Sequence, residues 1–329
     1  MIVTQAPLRV SFLGGGSDFR QHFSVHGGAV LATAIDRFAY VTAQTFLDEF
    51  FDHGLRVAYR KTEAVQNSAC VEHPAIRACL QKLGIEKGIE LHHMADLPAR
   101  TGLGSSSSFV VAMLMALHTF QGRTRSKLEL AEEAIEVERG LLAEAGGHQD
   151  QIVAAYGGTS LIRFEKSGRF SVTPLSINPN RLDDLQEHLL LMYTGLQRDS
   201  FAQAEAQIAS ATRNHRALNQ LASLAEEGAE CLVGRAPLTS FGKLLHDGWL
   251  LKRELSAVSL PSIDEAYEAG LRAGAAGGKL LGAGGGGFLL FVAEPTRHAT
   301  IRAALPHMRS IRVGINAPGA RVIFAQATA

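Results

Sequence analysis

The segment Pro98-Ala-Arg-Thr-Gly-Leu-Gly-Ser-Ser-Ser-Ser-Phe-Val-Val111 constrains this chain more than any other. Glycines and four consecutive hydroxyl residues, Ser105 to Ser108, stand directly before the apolar run Phe109, Val110, Val111, Met113, Leu114, Leu117 and Phe120. Glycine lets the backbone turn left-handed and approach a ligand closely. Serine favours helix N-caps, where its oxygen satisfies a free N–H group. The apolar run predicts a buried helix. A glycine–serine loop opening such a helix gathers free N–H groups and the positive end of the helix dipole at one point, an arrangement suited to phosphate.

The rest of the chain alternates strand and helix signals. Ile2 to Phe12 predicts a strand that ends in the glycine loop Leu13 to Asp18. Ala29 to Phe46 predicts two strands broken by a turn near Asp36-Arg37, and Leu55 to Tyr59 a short strand. His73 to Leu83 predicts a helix stopped by Gly84, and Ile89 to Met94 a strand feeding the loop at Pro98. Ser126 to Ala145 is patterned as an amphipathic helix, with Leu128, Leu130, Ala131, Ala134, Ile135, Val137 and Leu141 inside and the glutamates largely outside. Ser126 and Glu129 fit a capping box, and Gly146-Gly147 fits a stop. Ile152 to Ala155 and Thr159 to Phe164 read as apolar strand segments around a Gly157-Gly158 turn. Ser176 to Asp184 reads as a linker. Beyond it, Leu189 to Tyr193 starts a second block, with helices near Ala202–Arg213, His215–Cys231 and Leu238–Glu254. A loop from Gly282 to Gly287 runs into a strand, Phe288 to Val292, and the last part reads helix, Arg297 to Pro306, then strand, Arg321 to Ala325. The pattern predicts an α+β chain of two domains, residues 1–180 and 181–329.

Charge narrows the partners. Acidic and basic residues balance at 32 each, which argues against a broad footprint for nucleic acid or an anionic membrane. Three scattered cysteines show neither metal spacing nor a disulfide framework. The start of the chain shows no basic segment followed by an apolar stretch and a cleavage site, and no run is long enough to span a bilayer. A cytoplasmic protein is the expectation.

Three glycine-rich segments stand far apart: Leu13–Asp18, Gly102–Ser108 and Gly282–Gly287. Any one alone reads as a tight turn. Gly102–Ser108 lacks the lysine of a P-loop, and Gly14-Gly-Gly16 lacks the helix and later acidic residue of a dinucleotide fingerprint. Taken together, Ala6-Pro-Leu-Arg-Val-Ser-Phe-Leu-Gly-Gly-Gly-Ser-Asp18, Pro98 to Ser106 and Lys279-Leu-Leu-Gly-Ala-Gly-Gly-Gly-Gly-Phe288 resemble the three motifs of the GHMP kinase superfamily. With Arg9 in place of the commoner lysine, Gly146-Gly-His-Gln-Asp-Gln151 and Met192-Tyr-Thr-Gly-Leu-Gln-Arg198, the chain is most similar to the heptose 7-phosphate kinase branch and its sugar-1-kinase relatives.

The resemblance implies an N-terminal mixed α/β domain, a C-terminal ferredoxin-like α+β domain, and ATP with Mg²⁺ as cofactors. It implies that Gly102, Leu103, Gly104, Ser105, Ser106, Ser107, Ser108, Gly284 and Gly285 hold the nucleotide, with Ser105 or Ser106 and the carboxylate of Glu138 on Mg²⁺. By spacing alone Glu138 reads as a solvated carboxylate like Glu132 and Glu133. Asp150 would take the acceptor proton, although alone it reads as a cap or turn aspartate. Arg9, otherwise a strand surface arginine, would hold that aspartate ionised or neutralise phosphoryl charge. Asp18, which alone could form an Asx-turn, is assigned to sugar recognition with Gly15, Gly16, Ser17, Gly147 and Gln149. A phosphate distant from the reacting hydroxyl would need a cation, with Arg198 foremost and Arg20, Arg100 and Lys279 behind it; Arg198 reads equally as a solvated loop residue. An apolar wall for the base is expected near Asn67–His73. The implied reaction is phosphorylation of an anomeric hydroxyl, with D-glycero-D-manno-heptose 7-phosphate first among acceptors. Fucose, an N-acetylhexosamine, a non-sugar alcohol and non-catalytic nucleotide binding remain as alternatives.

Overall fold

A computed structural model describes residues 1–196, 214–255 and 258–326. Its first sheet has the order β12-β1-β2-β5-β3-β4, with β6 on β2 and β7 on β6. The strands are β1 (Ile2–Leu13), β2 (Gly28–Thr45), β3 (Leu55–Ala58), β4 (Thr62–Val65), β5 (Ile89–Ala95), β6 (Thr159–Phe164), β7 (Phe170–Pro174) and, from the end of the chain, β12 (Arg321–Ala325). All pairings are antiparallel except β3 with β5.

The turn expected at Asp36-Arg37 is absent, and β2 runs unbroken for 18 residues. Those residues form an irregularity instead: Pro7 faces Phe38 while Arg9 faces Ala34, so three residues of β2 bulge against one of β1. Asp36 keeps its backbone bond by donating its N–H to Gly314. The sheet centre is covered on both sides, which explains why β2 reads as a continuous apolar run. Val30, Ala32 and Ala34 face α3 (Ser105–Phe120), while Ala29 and Leu31 face α7 (His215–Val233) and α8 (Leu238–Leu255).

Between these, α1 (Arg20–His26) and α2 (Pro74–Lys82) precede α3. The capping box of Ser126 and Glu129 opens α4 (Lys127–Ile135), but the predicted single helix to Ala145 does not form. It passes into a π-turn at Glu136–Leu141, which rotates the later side chains, leaving Leu141 exposed and burying Glu138. Leu128, expected inside, is also exposed. Ile152 to Ala155, expected as a strand, lie in α5 (Gln149–Tyr156), whose four successive apolar residues pack into the core all round. The expected linker is the start of α6 (Pro179–His188), capped by Asn178 with proline in its first turn.

The second sheet is antiparallel, in the order β11-β8-β10-β9, formed by β8 (Leu189–Tyr193), β9 (Gly277–Leu280), β10 (Phe288–Val292) and β11 (Arg309–Ile311). With α9 (Pro261–Arg272) and α10 (His298–Ala304) against one face, it forms the expected α+β second part. Its other face shares a core with the first sheet, where Leu8, Val10 and Phe12 join Leu191, Leu290, Val292 and Phe241. The final strand, predicted in the second block, returns to pair with β1. The helix expected at Ala202–Arg213 lies outside the described residues. Among the described residues, no helix is long and apolar enough to cross a membrane.

Candidate active site

The three glycine segments meet. A Cβ on Gly102 would lie 2.5 Å from the Leu281 carbonyl, and one on Gly282 would lie 2.5 Å from the Gly102 Cα. No side chain fits at either position, so the central and C-terminal loops lock together only as glycines. Above this junction opens a cleft of about 910 Å³, lined by the Leu13–Asp18 loop, the start of α3, the π-turn, the start of α5, α8 and β9.

At one wall Arg9 of β1 meets Asp150 of α5. Its Nε donates to Oδ1 and its Nη2 to Oδ2, both at 2.7 Å, and its Nη1 donates to the Gly102 carbonyl at 2.6 Å. The Arg9 N–H is also bonded to the Leu103 carbonyl, so β1 and the central loop are one unit. This planar, two-pronged pairing is one a lysine could not reproduce. Arg9 is buried, whereas the Asp150 side chain keeps 22% exposure and opens on the cleft.

The start of α3 differs from the serine cap expected. Gly104 holds the N-cap with a left-handed φ of 73°, and no side chain caps the helix. Ser105, Ser106 and Ser107 therefore occupy the first turn, whose N–H groups have no partner within a helix, and all three line the cleft. Ser108 and Leu103 do not. The Ser108 hydroxyl donates to the Pro7 carbonyl at 2.7 Å, and the Leu103 side chain is buried in the shared core. Gly284 and Gly285 also turn away from the cleft and pack on Val258; Gly282 and Ala283 line it in their place.

Glu138 is 1% exposed, against the solvated position that spacing alone suggested. Burial raises its carboxyl above the usual range, opposed by Arg139 and by two hydrogen bonds. Those bonds come from Ser107 Oγ, at 2.7 Å, and from Gln151 Nε2, and both reach the same oxygen, Oε2. Oε1 is left over. One buried carboxylate with a free oxygen beside a serine hydroxyl fits Mg²⁺, which takes few protein ligands and completes its shell with water and phosphate. The serine bonded to this carboxylate is Ser107, whereas sequence pointed to Ser105 or Ser106.

Opposite lies Asp18, fully buried at its loop but facing the cleft. Its Oδ1 accepts from the Gly16 N–H at 2.8 Å and its Oδ2 from the Gln149 N–H at 3.2 Å. Burial nonetheless raises its carboxyl above the usual range. Gly147 packs directly on this carboxylate, and Gly15 and Gly16 line the same corner. Ser17 does not serve here: its one hydroxyl proton is shared between the Gly14 and Ala29 carbonyls, and its oxygen accepts from the Ala29 N–H. Two buried polar atoms beside it have no partner among the described residues, Ser11 Oγ and Gln149 Oε1. Both residues line the cleft.

Sequence reasoning missed Ser11, Gln151, Arg139 and Lys252. Ser11 follows the alternation of β1, but Lys252, between Leu251 and Arg253 on a helix, carries no signal separating it from a solvated lysine. Lys252 and Lys279 are both buried and line the cleft. Arg139 donates to the carbonyls of Glu144 and Gly147 and so braces the Gly147 corner. Arg100 lines the cleft, Arg20 is exposed outside it, and Arg198 lies outside the described residues. At the far end, His93 and His73 pack on Phe109 with ring centroids at 4.3 Å and 5.5 Å, and Tyr59 packs on His73.

The chain matches known proteins in sequence and in fold. The family pattern described as GHMP kinases N terminal domain matches residues 69–158, and that described as GHMP kinases C terminal matches residues 232–308. The chain is 27% identical over 315 residues to a D-glycero-alpha-D-manno-heptose 7-phosphate kinase of Campylobacter jejuni, covering 92% of this chain and 93% of that one. It is 31% identical over 270 residues to an L-fucokinase/L-fucose-1-P guanylyltransferase of Bacteroides fragilis, covering 79% of this chain and 27% of that one. The fold matches a crystal structure of a D-glycero-D-manno-heptose 1-phosphate kinase from Bacteroides thetaiotaomicron, with a TM-score of 0.81, 24% identity, and coverage of 99% and 100%.

Proposed function

We propose that this chain, which belongs to the GHMP kinase family, moves the γ-phosphoryl group of ATP to the anomeric hydroxyl of D-glycero-D-manno-heptose 7-phosphate. As a member of that family it is an ATP-dependent phosphotransferase with an alcohol acceptor, and its sugar-kinase relatives support a sugar as that acceptor. The anomeric position and the heptose are our reading. They draw support from the Campylobacter relative, which matches along nearly its whole length.

The observation that carries the mechanism is the Arg9–Asp150 pair, exposed to the cleft on its aspartate side. Phosphoryl transfer needs positioning, charge neutralisation and a destination for the acceptor proton. Asp150 takes that proton as the hydroxyl attacks. Arg9 cannot give or take a proton at neutral pH, so its part is to hold the carboxylate in place and balance its charge. The free N–H groups of Ser105 to Ser107 receive the nucleotide phosphates. Ser107 and Glu138 would hold Mg²⁺, which supplies neutralisation of the phosphate oxygens. Asp18, Ser11 and Gln149 each present an acceptor to the sugar; the last two are orphaned without one. The ring cluster of His93, His73 and Phe109 forms the wall on which the base rests.

The test is Asp150→Asn. Turnover, followed as ADP release with heptose 7-phosphate, should fall to near background, while nucleotide binding stays at the wild-type level. Near-normal turnover would remove the proton-accepting role. A second reading, fucose as acceptor, is favoured by fucokinase relatives and is decided by running free fucose in the same assay.

A further inference from the structure

Among the described residues, two ammonium groups are buried in this cleft without a counter-ion. Lys252 is 9% exposed and Lys279 is 6% exposed. Lys252 Nζ donates to the Gly282 carbonyl at 3.0 Å, and Lys279 Nζ donates to the carbonyls of Ser11 and Phe12, each at 2.9 Å. No carboxylate of the described residues lies within ion-pair distance of either. Asp150 is already matched by Arg9, and the Asp18 carboxylate is held by backbone N–H groups. Burying a cation without a partner is costly, and two side by side repel as well. Such a pair is retained where an anion arrives.

Their place identifies the anion. Gly282, whose carbonyl holds Lys252, touches Gly102, whose carbonyl holds Arg9. The Lys279 contacts, Ser11 and Phe12, lie on β1 two and three residues beyond Arg9. The two ammonium groups therefore line the side of the cleft that carries Arg9, Ser11, Asp18 and Asp150, where Gly282 meets Gly102. We propose that Lys252 and Lys279 form a binding site for a phosphate monoester dianion borne by the sugar. The inference rests on the kinase reading of the cleft. The phosphate is either the one newly placed on the anomeric oxygen or one the acceptor already carries.

Burial lowers the Lys252 ammonium to about 8, partly offset by Asp18 and Asp150 and reinforced by Arg9; burial lowers Lys279 as well, reinforced by Lys252 and Arg9 and partly offset by Asp18. A dianion bound here must therefore loosen as pH rises through that value, when Lys252 becomes neutral.

The experiment is calorimetric binding to the full chain, with sulfate first, because it keeps its double negative charge across the range. Wild-type protein should bind sulfate at pH 7 and release it as pH passes about 8. Lys252→Met should weaken sulfate about tenfold or more, a charged hydrogen bond being lost. Lys252→Arg should restore binding at pH 7 and shrink the alkaline limb to the part that Lys279 contributes. Two further arms separate the sources. A sugar 1-phosphate that loses affinity in Lys252→Met marks the product phosphate, and a sugar carrying only a terminal phosphate that loses affinity marks the distal one. Sulfate and both sugar phosphates binding equally to wild type and Lys252→Met would overturn the site, even if the enzyme turns over. Sulfate held by Lys252 in a protein that phosphorylates no sugar would instead leave the site standing and overturn the kinase reading.

Discussion

Replacing Gly147 by alanine adds one methyl group at the most crowded point of the cleft. Its Cβ would lie 1.8 Å from Asp18 Oδ2, 2.3 Å from Cγ and 2.7 Å from Oδ1. An ordinary contact needs at least about 3.4 Å, so the carboxylate must retreat by roughly 1.5 Å. It cannot do so and keep both the 2.8 Å bond from Gly16 N–H and the 3.2 Å bond from Gln149 N–H. Losing one hydrogen bond to a charged group costs about 1.5–3 kcal/mol. If that loss falls on the sugar complex, kcat/KM for the sugar drops about tenfold to about a hundredfold. The nucleotide side, built on Ser105 to Ser107 and Glu138, is untouched. Initial rates with sugar and ATP varied separately should show the loss in the sugar parameters with KM for ATP unchanged. Gly140→Ala is the control, since its Cβ would meet nothing closer than the Glu136 Cγ at 3.8 Å, and it should behave as wild type. A Gly147→Ala enzyme with wild-type sugar kinetics, or one that loses ATP and sugar alike, would refute the placing of Asp18 against the acceptor.

Three other outcomes follow from the same geometry. Glu138→Gln keeps the bonds from Ser107 and Gln151 but removes the charge; half-maximal activity should need about tenfold more Mg²⁺ or beyond, and the apo protein should melt no lower than wild type at neutral pH because burial disfavours the charge that the substitution removes. Arg9→Lys cannot span both Asp150 oxygens and the Gly102 carbonyl, so kcat should fall by about tenfold to about a hundredfold with ATP affinity kept. Lys252, lowered from 10.5 to about 8, binds its proton more weakly folded than unfolded, so it destabilises the fold by about 3 kcal/mol below about 8 and this cost fades as pH rises towards about 10.5. Denaturant unfolding at neutral pH should accordingly find Lys252→Met more stable than wild type, with the difference shrinking near pH 10.

Much of this site was legible because glycine and serine carry positional meaning. The loops at Gly102–Ser108 and Gly282–Gly287 could be seen to approach a ligand, and their contact at Gly102 and Gly282 follows from the lack of side chains there. Arg9, Asp18, Glu138 and Asp150 came from the resemblance of whole motifs, since each alone has an ordinary structural explanation. Roles within a motif were harder. Ser105, Ser106 and Ser107 are chemically alike, and helix phase decides that Ser107 faces Glu138. Glu138 itself sits in a π-turn, which leaves no mark in hydrophobic periodicity and turns the expected outward glutamate inward. The unbroken β2 was hidden for a similar reason. Asp36-Arg37 looks like a turn because polar residues interrupt an apolar run, yet a bulge against β1 admits them without reversing the chain. Lys252 is the limiting case: on a helix it reads as solvated, and only the packing of α8 under the Gly282 loop buries it.

The central claim is that phosphate arrives on the anomeric oxygen of a sugar. Phosphorus NMR of the product made from ATP and D-glycero-D-manno-heptose 7-phosphate tests it most directly. The account predicts a second phosphorus signal coupled to the anomeric proton, giving the 1,7-bisphosphate, and none with Asp150→Asn. Phosphate on any other hydroxyl, or ADP released with no phosphorylated sugar, would contradict it.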